Sequence, residues 1–120
     1  MISFDLSGNI VTQVYNSGGS ITLTGPVLST TTWSHVVQTY SPTNGQRLYI
    51  NGILSASSVL STIYTASETP TYLTFGNMLL GVSFCVTPTP VVAVFQGALD
   101  ELRVYSRELT STDVCLLAQP

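Results

Sequence analysis

Short runs of strand-forming residues, separated by turn residues, are the feature that most constrains this chain. The runs are rich in β-branched and aromatic residues, and the turns between them contain Gly, Asn, Pro and Ser. They cover residues 2–6, 10–15, 20–24, 33–40, 46–50, 53–58, 72–75 and 91–105, the last of which holds one or two strands. This spacing predicts an all-β sandwich or barrel, and 120 residues suit a single domain.

The turns also predict local topology. The first three runs are typical of a meander, and Gly25-Pro26 is expected to end the third. Run 33–40 carries apolar residues on both faces, as in a central strand that is covered on both sides. Asn51-Gly52 predicts a type I′ hairpin turn. Ser111 is the expected N-cap of a short terminal helix over residues 112–117.

Charged residues are scarce, which excludes several classes of partner. Only 8% of the residues are charged, the three basic ones are all Arg, and the net charge is −3. Such a chain has no basic patch for nucleic acid or for an anionic membrane surface. The most apolar stretch, residues 78–86, is about half as long as a transmembrane helix, so we expect no membrane insertion.

The candidate catalytic residues do not form a recognisable set. Asp100 and Glu101 are adjacent, and neighbours in a strand point to opposite faces, so they cannot act as the paired carboxyl groups of a glycosidase. We expect Asp100 to bond to backbone or hydroxyl groups. His35 is the sole histidine and is expected to be a packed, hydrogen-bonded residue. The sequence therefore predicts a non-enzyme with no catalytic residues.

Metal and cysteine chemistry is equally limited. The six acidic residues form no ligand-spaced cluster, so we expect no metal site and no cofactor; calcium would need backbone carbonyl ligands as well. Cys85 and Cys115 permit one disulfide, and the alternative is two buried thiols. An intrachain bridge is favoured if the chain is extracellular.

Four blocks of the sequence, in order, resemble a known family. They are TWSHVVQTY with RLYING (residues 32–40 and 47–52), LTFGN (73–77), FQGALDELRVYSREL (95–109) and the terminal helix from Ser111. This pattern resembles the laminin-G-like, or concanavalin-A-like, domains. The resemblance implies an antiparallel jelly-roll-type β-sandwich with a short C-terminal helical turn. Its motif residues here are Trp33, His35, Asn51, Gly52, Gly97, Asp100 and Tyr105.

Two departures from that family pattern predict an incomplete domain. The family normally begins with further strands, one of which is expected beside the closing strand, so residues 1–120 resemble a single laminin-G-like domain without its N-terminal strands. The family's short polar connection is replaced by an apolar insert, which is a candidate assembly surface. Its apolar side chains are Met78, Leu79, Leu80, Val82 and Phe84.

These features lead to two functional hypotheses. The resemblance implies a non-enzymatic recognition or adhesion module, extracellular or on the cell surface, that binds a glycan or a protein. The alternative is a self-assembling subunit of an extracellular filament or surface layer, completed by strand donation from a neighbouring chain. On either hypothesis we expect self-association, as a homo-oligomer or polymer, or completion by a missing N-terminal segment.

Overall fold

Two antiparallel three-stranded sheets and one short helix form the part of the chain that the computed structural model describes, residues 1–16, 19–58, 74–76 and 94–119. Sheet A contains β1 (Ile2–Phe4), β2 (Asn9–Asn16) and β3 (Gly19–Val27). Sheet B contains β4 (Val36–Ser41), β5 (Gly45–Ile50) and β6 (Ile53–Ser57), and α1 (Ser111–Leu117) follows near the C-terminus. The predicted all-β class with a terminal helical turn is confirmed.

Sheet A is the predicted meander, but its third strand is longer than expected. The strand continues through Gly25-Pro26 to Val27, so the prediction that this pair ends it is wrong. Asn9 pairs with Val27 and Val11 with Thr24, which leaves two residues of β3 opposite one of β2. This bulge removes Pro26, which has no N–H, from the ladder. Gly25 is also needed there, because a Cβ at its position would lie 2.7 Å from Cδ2 of Leu48.

Sheet B is built on the predicted Asn51-Gly52 hairpin turn. Both residues have positive φ, 51° for Asn51 and 80° for Gly52, and strands β5 and β6 flank them. The strand predicted over residues 33–40 begins only at Val36, which pairs with Ile50, the last residue of β5. Since β5 ends there, the residues before Val36 join no ladder with the described strands, and Trp33 is 69% exposed.

The two faces of β5 contact different layers of the molecule. Leu48 packs with Ile10 and Leu23 of sheet A, whereas the adjacent Tyr49 packs with Leu109 and Val114 of the C-terminal segment. Consecutive strand residues point to opposite faces, so one strand holds both clusters. Val36 and Val37 of β4 also divide between these clusters, as a strand with apolar residues on both faces should.

A buried polar contact joins the two sheets. The Gln46 side-chain amide donates from Nε2 to the Thr12 hydroxyl at 2.7 Å, and both residues are fully buried. Gln38 adds a second link, from its Nε2 to the backbone oxygen of Gln13 at 3.3 Å. Because a buried amide without a partner is costly, this contact favours one alignment of the sheets.

The C-terminal part differs from the sequence prediction in two places. The N-cap of α1 is Thr110 rather than Ser111, because Thr110 and Asp113 form a capping box that needs this spacing. In the last predicted run, residues 94–105 form no strand, and residues 91–93 lie outside the described residues. A β-ladder needs a hydrogen-bonded neighbouring backbone, and none of the described strands pairs with this run. The predicted strand at 72–75 lies partly outside the described residues, and Phe75 is not in a strand.

Among the described residues, α1 is too short to cross a membrane.

Truncation of Leu48 should measure how far the fold depends on the contact between the sheets. Leu48→Ala should lower the free energy of unfolding by about 2–5 kcal/mol, because it opens a cavity between Ile10 and Leu23. The control is Leu54→Ala, on the neighbouring strand with a side chain that is 49% exposed, which should change it by less than about 1 kcal/mol. Urea unfolding followed by circular dichroism compares the two, and equal losses would contradict the assigned core.

Candidate interaction segment

Residues 94–105 form an exposed apolar run on the described part of the chain, and we call this run the apolar segment. Leu99 is 64% exposed, Leu102 63% and Val104 80%. Contiguous exposure of large aliphatic side chains is uncommon on a soluble protein and marks an interaction surface. The apolar segment is therefore the candidate functional site in the described part of the chain.

The start of the apolar segment is anchored to sheet A. The Phe95 ring stacks on Phe4 of β1, with ring centroids 6.1 Å apart and an interplanar angle of 2°. The Phe95 N–H donates to the carbonyl oxygen of Gly76 at 2.7 Å. A Cβ at Gly97 would lie 2.5 Å from Cζ of Phe95, so a larger residue at this position would have to displace the ring.

The residues that follow the apolar segment are anchored to sheet B. Leu109 is buried against Tyr49, and the Glu108 carboxylate accepts a hydrogen bond from Nδ2 of Asn44 at 2.8 Å. Glu108 also lies 3.8 Å from the Arg47 guanidinium. The apolar segment thus spans between two fixed ends, with its central residues in solvent.

Charged groups lie in the middle of the apolar segment. The Arg103 guanidinium pairs with Glu101, and this carboxylate, followed by Tyr105, raises the pKa of Arg103 above its ordinary value. Asp100 accepts a hydrogen bond from the Glu101 N–H at 2.8 Å. Glu101 has φ of 53°, a left-handed conformation that costs a residue with a Cβ about 1–2 kcal/mol. The carboxylates are therefore engaged with their own neighbours along the chain.

The other motif residues support the hairpin and its contact with α1. The His35 N–H donates to Oδ1 of Asn51 at 2.9 Å, and the Asn51 N–H donates back to the His35 carbonyl at 2.8 Å. Nδ1 of His35 is buried and has no hydrogen-bond partner among the described residues. Gly52 lies against α1, since a Cβ there would be 3.3 Å from Cα of Cys115. These residues position the hairpin rather than line the apolar segment.

The predicted disulfide and assembly surface are not supported by the described residues. Cys115 is a free, exposed cysteine, so the structure gives no support to a bridge from it, and Cys85 lies outside the described residues. All five side chains of the candidate assembly surface also lie outside them: Met78, Leu79, Leu80, Val82 and Phe84. Within residues 1–16, 19–58, 74–76 and 94–119, no group of three or more His, Cys, Asp or Glu side chains could hold a metal ion.

Sequence reasoning placed Gly97, Asp100 and Tyr105 in a closing strand but did not identify the neighbouring leucines as a surface. The available signal was that Leu99, Leu102 and Val104 belong to a strand-like run, and such a run exposes backbone and apolar side chains wherever it lacks a neighbouring strand.

Comparison with known proteins gives one family and one similar solved structure. A family model, the Laminin_G_3 type of the concanavalin A-like lectin/glucanases superfamily, matches residues 1–115. A crystal structure of residues 221–444 of an S-layer domain-containing protein from Clostridium thermocellum is similar, with a TM-score of 0.60 and 24% sequence identity. The match covers 93% of this chain and 52% of that one, so the chain spans about half of the similar structure. No curated protein sequence matches the chain.

The capping box of α1 predicts an acid-sensitive C-terminal anchor. Arg107, with Thr110, lowers the pKa of Asp113 from 3.8 to about 2. When folding lowers the pKa of a carboxyl group, that group stabilises the folded state at pH values above its unfolded-state pKa. This stabilisation is lost as the pH falls through the folded-state pKa. Asp113→Asn should therefore lower the free energy of unfolding at neutral pH, and its difference from the parent chain should shrink between about pH 4 and pH 2.

Denaturant unfolding at a series of pH values, followed by far-ultraviolet circular dichroism, measures that difference. Asp100→Asn is the control, because Asp100 is exposed and, among the described residues, accepts a hydrogen bond from its neighbour Glu101 alone. A difference between the Asp113→Asn and parent chains that stays constant down to pH 2 would contradict the assignment.

Proposed function

We propose that this chain, which belongs to the concanavalin A-like lectin/glucanase superfamily, is a non-enzymatic recognition or adhesion module of an extracellular protein. Its family consists mostly of binding modules. An extracellular or surface location agrees with the family and with the S-layer domain-containing protein whose fold is similar. The proposed activity is binding through the apolar segment.

The exposure of the apolar segment is the observation that carries this proposal. Leu99, Leu102 and Val104 are each more than half exposed, although both ends of the segment are held by packed aromatic and aliphatic groups. An uncovered run that is fixed at both ends loses less conformational entropy on binding than a free loop does. This arrangement suits a surface that recognises a partner.

The charged groups of the apolar segment favour binding over catalysis. Glycoside hydrolysis needs two carboxyl groups that face one another across a substrate. Asp100 instead accepts from the adjacent backbone, and Glu101 pairs with Arg103. His35 bonds through its backbone to Asn51, at the hairpin and away from these carboxylates in the chain.

The side chains of the apolar segment favour a protein partner over a glycan. Aliphatic residues dominate its exposed surface, and no described strand pairs with its backbone. Once Glu101 leaves its left-handed φ of 53°, this backbone can accept a strand from another polypeptide. The exposed Trp33 ring, outside the segment, is the best stacking surface for a sugar. A glycan ligand would therefore be expected near Trp33 and a protein ligand at residues 94–105.

Self-assembly is a second candidate function that the same observation favours. A surface that accepts a strand from a partner can accept one from another copy of the chain, which produces a closed oligomer or an open filament. The chain would then be a structural subunit of an extracellular layer.

Binding should be lost when the aliphatic side chains of the apolar segment are removed. The triple variant Leu99→Ser, Leu102→Ser and Val104→Ser should lose at least about tenfold in affinity, because truncation of a single dominant contact residue costs about 2 kcal/mol or more. The probes are a printed glycan array, immobilised extracellular matrix proteins and the immobilised chain itself. Leu6→Ser with Ile53→Ser is the control, since both residues are more exposed than Leu99 but lie outside the segment. Failure of the parent chain to bind any probe, or equal binding by both variants, would contradict the proposal.

Incubation with common polysaccharides should release no reducing sugar. The proposed module has no pair of facing carboxylates among its described residues, and such a pair is what glycosidic cleavage requires. Product formation that disappears in the Asp100→Asn or Glu101→Gln variant would show that the chain is an enzyme.

A further inference from the structure

We propose that the partner of the apolar segment is a second copy of the same segment, paired antiparallel about a two-fold axis at Leu102. This inference rests on the proposed function, because it names the partner of the recognition surface. It concerns residues 99–105, which occupy the middle of the segment and are all exposed.

The charge pattern of residues 99–105 is complementary to itself in this register. Antiparallel pairing about Leu102 places Glu101 of each copy opposite Arg103 of the other, so two opposite-charge pairs form. The same register places Leu99 opposite Tyr105 on the same face, and Leu102 opposite its own copy on the other face. Each of these pairings is favourable across antiparallel strands.

Neighbouring registers are less favourable. Pairing about residue 101 places Glu101 opposite Glu101, and pairing about residue 103 places Arg103 opposite Arg103. A slip of one residue from the Leu102 register can place Asp100 opposite Arg103, but it then leaves Glu101 opposite Leu102 and moves the side chains of one copy to the other face. Of these registers, the one about Leu102 gives both Glu101 and Arg103 a counterpart of opposite charge.

The backbone of residues 99–105 is available for a ladder. None of these residues forms a backbone-to-backbone hydrogen bond with another described residue; within the apolar segment that contact occurs at Phe95. Phe95 and Leu109 hold the chain on either side, so the segment is presented at a fixed place on the surface. Within residues 99–105 the Glu101 N–H is bonded to the Asp100 side chain. No other described backbone group pairs with the N–H and carbonyl groups of these residues, so a second copy could form a ladder with them.

Pairing exchanges contacts that the single chain already makes. Within one chain Glu101 binds Arg103, and both side chains are more than half exposed. In the pair each of these two groups meets its counterpart on the other copy, so neither Glu101 nor Arg103 loses its partner. Glu101 also changes from its left-handed φ of 53° to an extended conformation, which removes the strain at that residue.

A two-fold contact closes on itself, so the expected product is a dimer rather than a filament. Two short paired strands bury less surface than a standard interface, and contacts of that size are weak and reversible. We therefore expect a dimer whose dissociation constant is micromolar, of about 1–100 µM.

Charge reversal tests the register. In a dimer of Glu101→Arg chains, the introduced guanidinium of each copy lies opposite Arg103 of the other copy. In a dimer of Arg103→Glu chains, the introduced carboxylate of each copy lies opposite Glu101 of the other copy. Each single variant should therefore raise the dissociation constant of the dimer by about tenfold or more, since two attractions become two repulsions. Sedimentation equilibrium across a range of concentrations measures the change, and circular dichroism checks that both variants fold.

Mixing the two single variants separates pairing between copies from the salt bridge within one chain. In a mixed dimer the arginines of one chain face the glutamates of the other, so E101R and R103E together should associate as tightly as the parent chain does. Neither variant regains its internal salt bridge in the mixture. The double variant E101R/R103E, which is complementary within and between chains, should dimerise like the parent chain.

Several results would overturn this inference. A parent chain that stays monomeric at millimolar concentration, single variants that dimerise normally, a mixture that stays monomeric, or an open-ended polymer would each do so. Failure of the dimer is distinguishable from failure of the proposed function. A parent chain that stays monomeric can still bind a glycan or matrix protein and lose that binding in the Leu99, Leu102 and Val104 triple variant. Such a chain is a recognition module with another partner. A chain that neither dimerises nor binds any probe contradicts both.

Discussion

The alternation of side chains along β5 is the constraint on which the rest of the structure depends. Leu48 faces Ile10 and Leu23 of sheet A, and Tyr49 faces Leu109 on the opposite side. A single strand therefore joins three layers, and any shift of its register by one residue would exchange the two clusters. The buried bond from Gln46 to Thr12 opposes such a shift, because the slipped amide would lose its partner in a dry environment.

The position of the apolar segment follows from that layering. Leu109 is fixed beneath Tyr49, and the ring of Phe95 is fixed on Phe4, so the residues between them must cross from one anchor to the other. No described strand forms a ladder with this path, and its side chains remain in solvent. The exposure of Leu99 and Leu102 is thus a consequence of the same packing that stabilises the two sheets.

Features of the fold that depend on local chemistry could be predicted from the sequence, and features that depend on distant partners could not. The Asn51-Gly52 turn and the meander follow from the conformations that a few adjacent residues allow. The continuation of β3 past Gly25 depends on a bulge and on close contact with Leu48, which is remote in sequence. The candidate surface was sought in residues 78–86, an apolar insert that lies outside the described residues. Strand-like residues 99–105 predict a ladder, and nothing local in their sequence shows that they are exposed.

An exposed strand-like run is normally an aggregation hazard, and the charges of the apolar segment limit that hazard. Asp100, Glu101 and Arg103 interrupt the aliphatic residues, so most alignments with another strand would bury an unpaired charge or oppose like charges. One antiparallel alignment satisfies both Glu101 and Arg103. The same three residues can therefore discourage unspecific pairing and permit a specific one, which is the property that separates a recognition surface from a merely unfinished sheet edge.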